Sequence, residues 1–106
     1  MNREQQSLQI ADHVRVVRVT LGTGFAHLAG LVRAALDVAL PDGKKVIQIT
    51  GICAAEWKFR DLKNNSSYRT VAADTEKSIP ALDAFDELYV AAASGTPTLE
   101  VEVYLA

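Results

Sequence analysis

Leu88-Tyr89-Val90-Ala91-Ala92-Ala93 runs into Ser94-Gly95-Thr96-Pro97 and on into Thr98-Leu99-Glu100-Val101-Glu102-Val103-Tyr104-Leu105-Ala106. The last stretch alternates without a break. Leu99, Val101, Val103 and Leu105 point one way; Glu100, Glu102 and Tyr104 point the other. A period of two marks a strand with one buried face. Ser94 to Pro97 supplies turn residues between two apolar runs, so the pattern predicts a β-hairpin on which other strands pack.

The same alternation recurs upstream. Trp57 and Phe59 share one face of a strand, Lys58 and Arg60 the other. Lys44 to Ile52 forms a strand centred on Val46, Ile47 and Ile49, and Gly51 marks a bulge or a close approach. The matching patterns place Leu99, Val101, Val103 and Leu105 against Trp57, Phe59, Ile47 and Ile49. His13 to Leu21 is valine-rich, as strands favour. Its alternation changes phase between Val16 and Val17, which implies a bulge or a strand covered on both faces. Leu8 and Ile10 outline a short strand, Tyr68 to Val71 another. Ser78-Ile79-Pro80 has its proline at an edge or a strand end, because proline cannot donate to a ladder. Asp61 to Ser67 is a polar turn, and Phe85 anchors the lead-in to the final strands.

Phe25 to Leu40 is the one helical pattern. Phe25, Leu28, Leu31 or Val32, Ala35, Leu36 and Leu40 recur at three- and four-residue spacing. Thr23 is its candidate N-cap, Pro41-Asp42-Gly43 its stop, and His27, Arg33 and Asp37 its wet side. About seven or eight strands, one helix and turns roughly every 8–12 residues predict a mainly β fold. The expected architecture is a β-sandwich or jelly-roll-like domain with one capping helix.

A chain of 106 residues makes one domain, 1–106, with a polar, flexible N-terminal arm at 1–6. The arm resembles no signal peptide, and Phe25 to Leu40 is too short and polar to span a bilayer. The apolar share of 49% and the charged share of 23% are ordinary for a globular protein. A net charge of −2 provides no footprint for nucleic acid or an acidic membrane.

Chemistry is sparse. Cys53 stands alone in an apolar run and reads as a buried thiol. His13 and His27 lie on different elements, so neither a zinc site nor a Cys–His pair is built. Asp83, Asp86 and Glu87 cluster without the ligand spacing of a calcium loop and read as a solvated loop. Gly22-Thr23-Gly24 lacks the further glycine and lysine of phosphate-binding turns. Lys58, Arg60, Lys63 and Arg69 flank Trp57, Phe59 and Tyr68, a mixture that can bind single strands. Here the aromatics fall on the face opposite Lys58 and Arg60, which indicates a core strand with a wet outer side. No catalytic, cofactor-binding or metal residues are expected, and no cofactor.

Three segments carry a resemblance. They are Leu28-Ala29-Gly30-Leu31-Val32 through Leu40-Pro41-Asp42-Gly43-Lys44-Lys45-Val46; Trp57-Lys58-Phe59-Arg60-Asp61 with Tyr68-Arg69-Thr70; and Leu88 through Tyr104. Together they resemble small tailed-bacteriophage virion structural proteins. In these a leucine-proline-x-glycine turn precedes a strand, a tryptophan- or tyrosine-x-x-arginine-aspartate strand follows, and a serine-glycine-threonine-x-threonine-leucine hairpin closes the chain. The likeness covers residue 25 onward. It departs at Asn64-Asn65-Ser66-Ser67 and in the polar lead-in before His13, which leaves the position within a virion open.

The resemblance implies a non-enzymatic virion component: a capsid cement or decoration protein, or a tail or head-completion part. It would self-associate and contact other virion proteins, with no nucleic acid or membrane partner. The alternatives are a carbohydrate- or host-receptor-binding module of a phage tail or fibre, and a bacterial enzyme accessory domain. An exposed Trp57 beside acidic residues would favour sugar binding; a buried one, a structural role. If catalysis is absent, Cys53→Ser, His13→Ala and His27→Ala variants keep their biological activity apart from packing losses. Loss of activity in a variant that stays folded and keeps its partner contacts would contradict this.

Overall fold

The computed structural model describes residues 13–36, 43, 45–61, 67–81 and 85–106, with the backbone alone at His13. The strands are β1 His13–Thr20, β2 Ala26–His27, β3 Val46–Cys53, β4 Trp57–Asp61, β5 Arg69–Val71, β6 Lys77–Pro80, β7 Leu88–Ala92 and β8 Thr98–Leu105. Among the described residues one helix, α1, spans Leu28–Ala35, and a 3-10 turn spans Phe85–Glu87. The strands form two four-stranded sheets, ordered β1-β8-β3-β6 and β2-β7-β4-β5.

The pairing has a simple logic. β1 pairs with β8, β2 with β7, β3 with β6 and β4 with β5, all antiparallel. The chain is thus doubled back on itself about the β4–β5 connection. Rolling this long ribbon adds the β3–β8 and β4–β7 ladders and closes each sheet. The result is an eight-stranded jelly roll: a β-sandwich with one helix.

The final two strands are therefore not a hairpin. β7 and β8 lie in different sheets, and each has two other partners. Alternation told correctly that Leu99, Val101, Val103 and Leu105 are buried, but a face does not name a neighbour. The link at Ala93 to Pro97, with Gly95 at φ +68°, carries the chain from one sheet to the other. Its far end is held by the Leu21 N–H donating to the Pro97 carbonyl at 2.9 Å.

Leu99, Val101, Val103 and Leu105 are buried as expected and meet Trp57, Phe59 and Ile49 in one core. Ile47 is a correction. The β3–β8 register shifts between Val46 and Gln48, so Val46 and Ile49 turn inward while Ile47 is only half-buried. Gly51 is a close approach, not a bulge. A Cβ there would stand 3.1 Å from two carbons of the Trp57 ring and 3.4 Å from Leu99 Cδ1. β1 has no register break: Val17 and Val19 face the core while Val14 and Val16 face out. Tyr104 lies on the outer face yet is buried, its hydroxyl donating to Glu102 Oε2 at 2.7 Å.

The helix is shorter than its pattern. Phe25 precedes an extended Ala26–His27 that pairs with Val90 and Tyr89 of β7. The sheet edge there offers backbone partners that a helical turn would forgo. His27, not Thr23, occupies the N-cap position, without a side-chain cap. Leu28, Ala29 and Val32 are buried, whereas Ala35 is exposed. The helix contacts β1, β2 and β7 and so bridges the two sheets on one side. Pro80 sits in edge strand β6, as its chemistry requires. The 1–6 arm, the Leu8–Ile10 strand, Asp37 to Asp42 and Asn64 to Ser66 lie outside the described residues.

Two substitutions test this core. Val101→Asp buries an unpaired carboxylate and costs several kcal/mol, so its melting temperature falls sharply; an unchanged one contradicts the assignment. Gly51→Ala overpacks the Trp57 contact and costs about 1–3 kcal/mol by denaturant unfolding. A neutral result there would show that the indole yields by the few tenths of an ångström that a methyl group needs.

Candidate ligand-binding face

The site begins with strand parity. On β4, Trp57 and Phe59 are buried, so Lys58 and Arg60 project from the outer face of the β2-β7-β4-β5 sheet. Register brings neighbours beside them. Arg60 pairs with Tyr89 of β7, and Tyr89 with His27 of β2. Lys58 pairs with Ala91 on one side and Thr70 on the other.

Ala91 is the small residue in this row. Past it the Phe25 ring reaches across β7 to the β4 cations. Arg60 Cζ stands 4.6 Å from the Phe25 centroid and 5.6 Å from that of Tyr89. Lys58 Nζ stands 4.9 Å from the Tyr68 centroid and 5.9 Å from that of Phe25. Phe25 and Tyr68 are 5.9 Å apart, and His27 and Tyr89 5.4 Å. Three aromatic rings thus flank two cations, with the His27 imidazole beside Tyr89.

Each cation–ring contact contributes roughly 0.5–1 kcal/mol at such a partly exposed site. That attraction offsets the repulsion of two like charges two residues apart on one strand, about 6.6 Å along the chain. Among the described residues neither Lys58 nor Arg60 has a carboxylate partner, and Arg60 Nε is buried without a hydrogen bond. Arg18 and Arg33 differ. Arg18 meets Glu100 at 3.1 Å, and Arg33 meets Asp86 at 3.2 Å while lying over Phe85.

This cluster corrects one sequence-based expectation. Trp57 and Phe59 do lie opposite Lys58 and Arg60, but Tyr68, Phe25 and Tyr89 lie with them. Tyr68 is 55% exposed. The parity of Lys58 and Arg60 was legible in the sequence; the convergence of aromatics from three other segments depends on register.

The remaining candidates stay apart. Cys53 is buried on β3. His27 is half-buried, and its Nε2–H donates to the Asp86 carbonyl at 2.6 Å, which fixes the proton on that nitrogen. Asp86 and Glu87 are exposed, and Asp83 lies outside the described residues. Among the described residues no three His, Cys, Asp or Glu come together as a metal site would require. No described helix is long and apolar enough to cross a membrane. No family model, no curated protein and no solved structure matches this chain.

The Phe85–Glu87 turn allows a clean separation of two contacts. Asp86→Asn removes the exposed pair with Arg33 but keeps the carbonyl that His27 uses. It costs less than about 1 kcal/mol by thermal unfolding. His27→Ala loses the hydrogen bond and the ring contact and costs about 1–2 kcal/mol. The reverse order would show that the ion pair to Arg33 of α1, not the imidazole of β2, holds the turn.

Proposed function

We propose that the chain is a non-enzymatic virion structural protein, a capsid cement or decoration protein that stabilises the particle by multivalent contacts. The observation that carries this reading is the strand order β1-β8-β3-β6 and β2-β7-β4-β5. Viral shell proteins use this roll, as do lectin domains and cupins, so the fold supports a class of role and the residues must narrow it. The burial of Trp57 at 1% exposure supports a structural part over sugar binding through that residue.

The edges suggest how copies meet. β2 has two residues, β5 three and β6 four with a terminal proline. Such edges are poor templates for another strand. β1 has eight residues, and among the described residues nothing pairs along its outer side. Val14 and Val16 are 39% and 54% exposed on its solvent face. A neighbour's N-terminal arm adding to this edge would gain backbone hydrogen bonds and cover both valines. Repeated over a symmetric shell, modest contacts of this kind sum to strong adhesion. The partners are copies of the chain and other virion proteins.

Mass spectrometry of purified particles tests the assignment. A shell protein is present at on the order of hundreds of copies, as particle symmetry requires. A handful would move it to the tail, and absence from the particle would end the virion reading. Val16→Lys and deletion of Met1–Gln6 test the edge. Both variants stay folded, with stability changed by less than about 0.5 kcal/mol for the surface substitution. Both sediment as smaller species and bind particles more weakly than the full chain. Unchanged assembly would show that β1 and the arm take no part.

A further inference from the structure

We propose that the outer face of the β2-β7-β4-β5 sheet binds a saccharide bearing a carboxylate, with Arg60 and Lys58 taking the carboxylate and Tyr68 stacking on the sugar ring. This goes beyond the virion role and does not depend on it.

Lys58 and Arg60 carry unspent charge. Arg18 and Arg33 each meet a carboxylate, whereas among the described residues Lys58 and Arg60 meet only aromatic rings. The rings hold both side chains in place without neutralising them, and Arg60 Nε lacks a hydrogen-bond partner. An arriving carboxylate gains charge-assisted hydrogen bonds from groups that are already positioned. A neutral glycan would desolvate the same cations without that return.

The rings decide what kind of anion fits. One face of Tyr68 meets Lys58, yet the residue remains 55% exposed. A sugar presents an apolar C–H face to such a ring and hydroxyls to its surroundings. Phe25 and Tyr89 are half-buried and already carry Arg60. A single-stranded nucleic acid needs successive open platforms along a longer basic groove. Here one ring is well exposed, Lys58 lies over it with Arg60 two residues along the strand, and the whole chain is at −2. A short acidic saccharide matches that extent. Lys58, Arg60 and Tyr89 are also rigidly held, since β4 and β7 are the two central strands of their sheet.

The test is amide NMR of the full chain titrated with trigalacturonate, sialyllactose and a hyaluronan tetrasaccharide. Maltotriose serves as the neutral probe and an oligothymidylate as the nucleic acid. At least one acidic saccharide shifts Phe25, Lys58, Arg60 and Tyr68 saturably below about 10 mM, while Val14 and Val16 stay still. Arg60→Gln and Tyr68→Ala each weaken binding at least about tenfold, and Arg60→Lys retains part of it. Tyr68 is exposed, so its variant reports on the site even if Arg60→Gln fails to fold. No saturable shift with any acidic saccharide overturns the proposal. So does equal binding of maltotriose, or tighter binding of the oligothymidylate on this face.

Discussion

The two sheets meet where the Trp57 indole lies against Gly51. Trp57 comes from β4 in one sheet; Gly51 and Leu99 come from β3 and β8 in the other. The largest side chain in the core needs a neighbour with none, because close-packed interiors leave no slack for both. Within its own sheet Trp57 pairs with Val71 and Ala92, and Gly51 pairs with Val101 across β8. A single contact thus aligns β3, β4, β5, β7 and β8. Its cost is an indole N–H buried without a hydrogen-bond partner.

The roll explains why so little of the chain is locally held. Arg18 and Glu100, 82 residues apart, meet on the outer face because the first and last strands are partners. Of the connections, β4 to β5 alone joins sequential strands that pair with each other. Loop closure must be met before such distant ladders repay it, so folding is expected to be slow for the chain's length. The helix contributes by joining sheets. Leu28, Ala29 and Val32 enter the core on the side where β1 and β2 form the sheet edges.

What was legible in the sequence was parity. The buried faces of β4 and β8, the proline edge of β6, the buried Cys53 and the anchoring Phe85 all follow from residue type and spacing. Pairing was not legible. Two apolar runs joined by Ser-Gly-Thr-Pro fit a hairpin as well as a sheet-to-sheet corner, and distant partners decided between them. Ile47 failed because a bulge shifts the phase by one residue. Phe25, Ala26 and His27 kept helical spacing, yet the backbone of β7 drew them into a ladder. The cation–aromatic face was only half visible for the same reason: parity exposed Lys58 and Arg60, while register gathered Tyr68, Tyr89 and Phe25 around them.

The faces and edges of one roll divide the proposed work. Edge β1 with its valines suits contact between copies, and the cation–aromatic face suits a small acidic ligand. Both depend on β7 and β8 lying in separate sheets, since that split sets which residues share each surface. Backbone Hα–Hα nuclear Overhauser effects measure this directly, because such protons are close only between adjacent antiparallel strands. The roll predicts β8 contacts to β1 and β3 and β7 contacts to β4 and β2, around the pairs Val17–Val101 and Phe59–Val90. A backbone contact linking Val90 to Val101 would place β7 beside β8 as a hairpin and contradict the account.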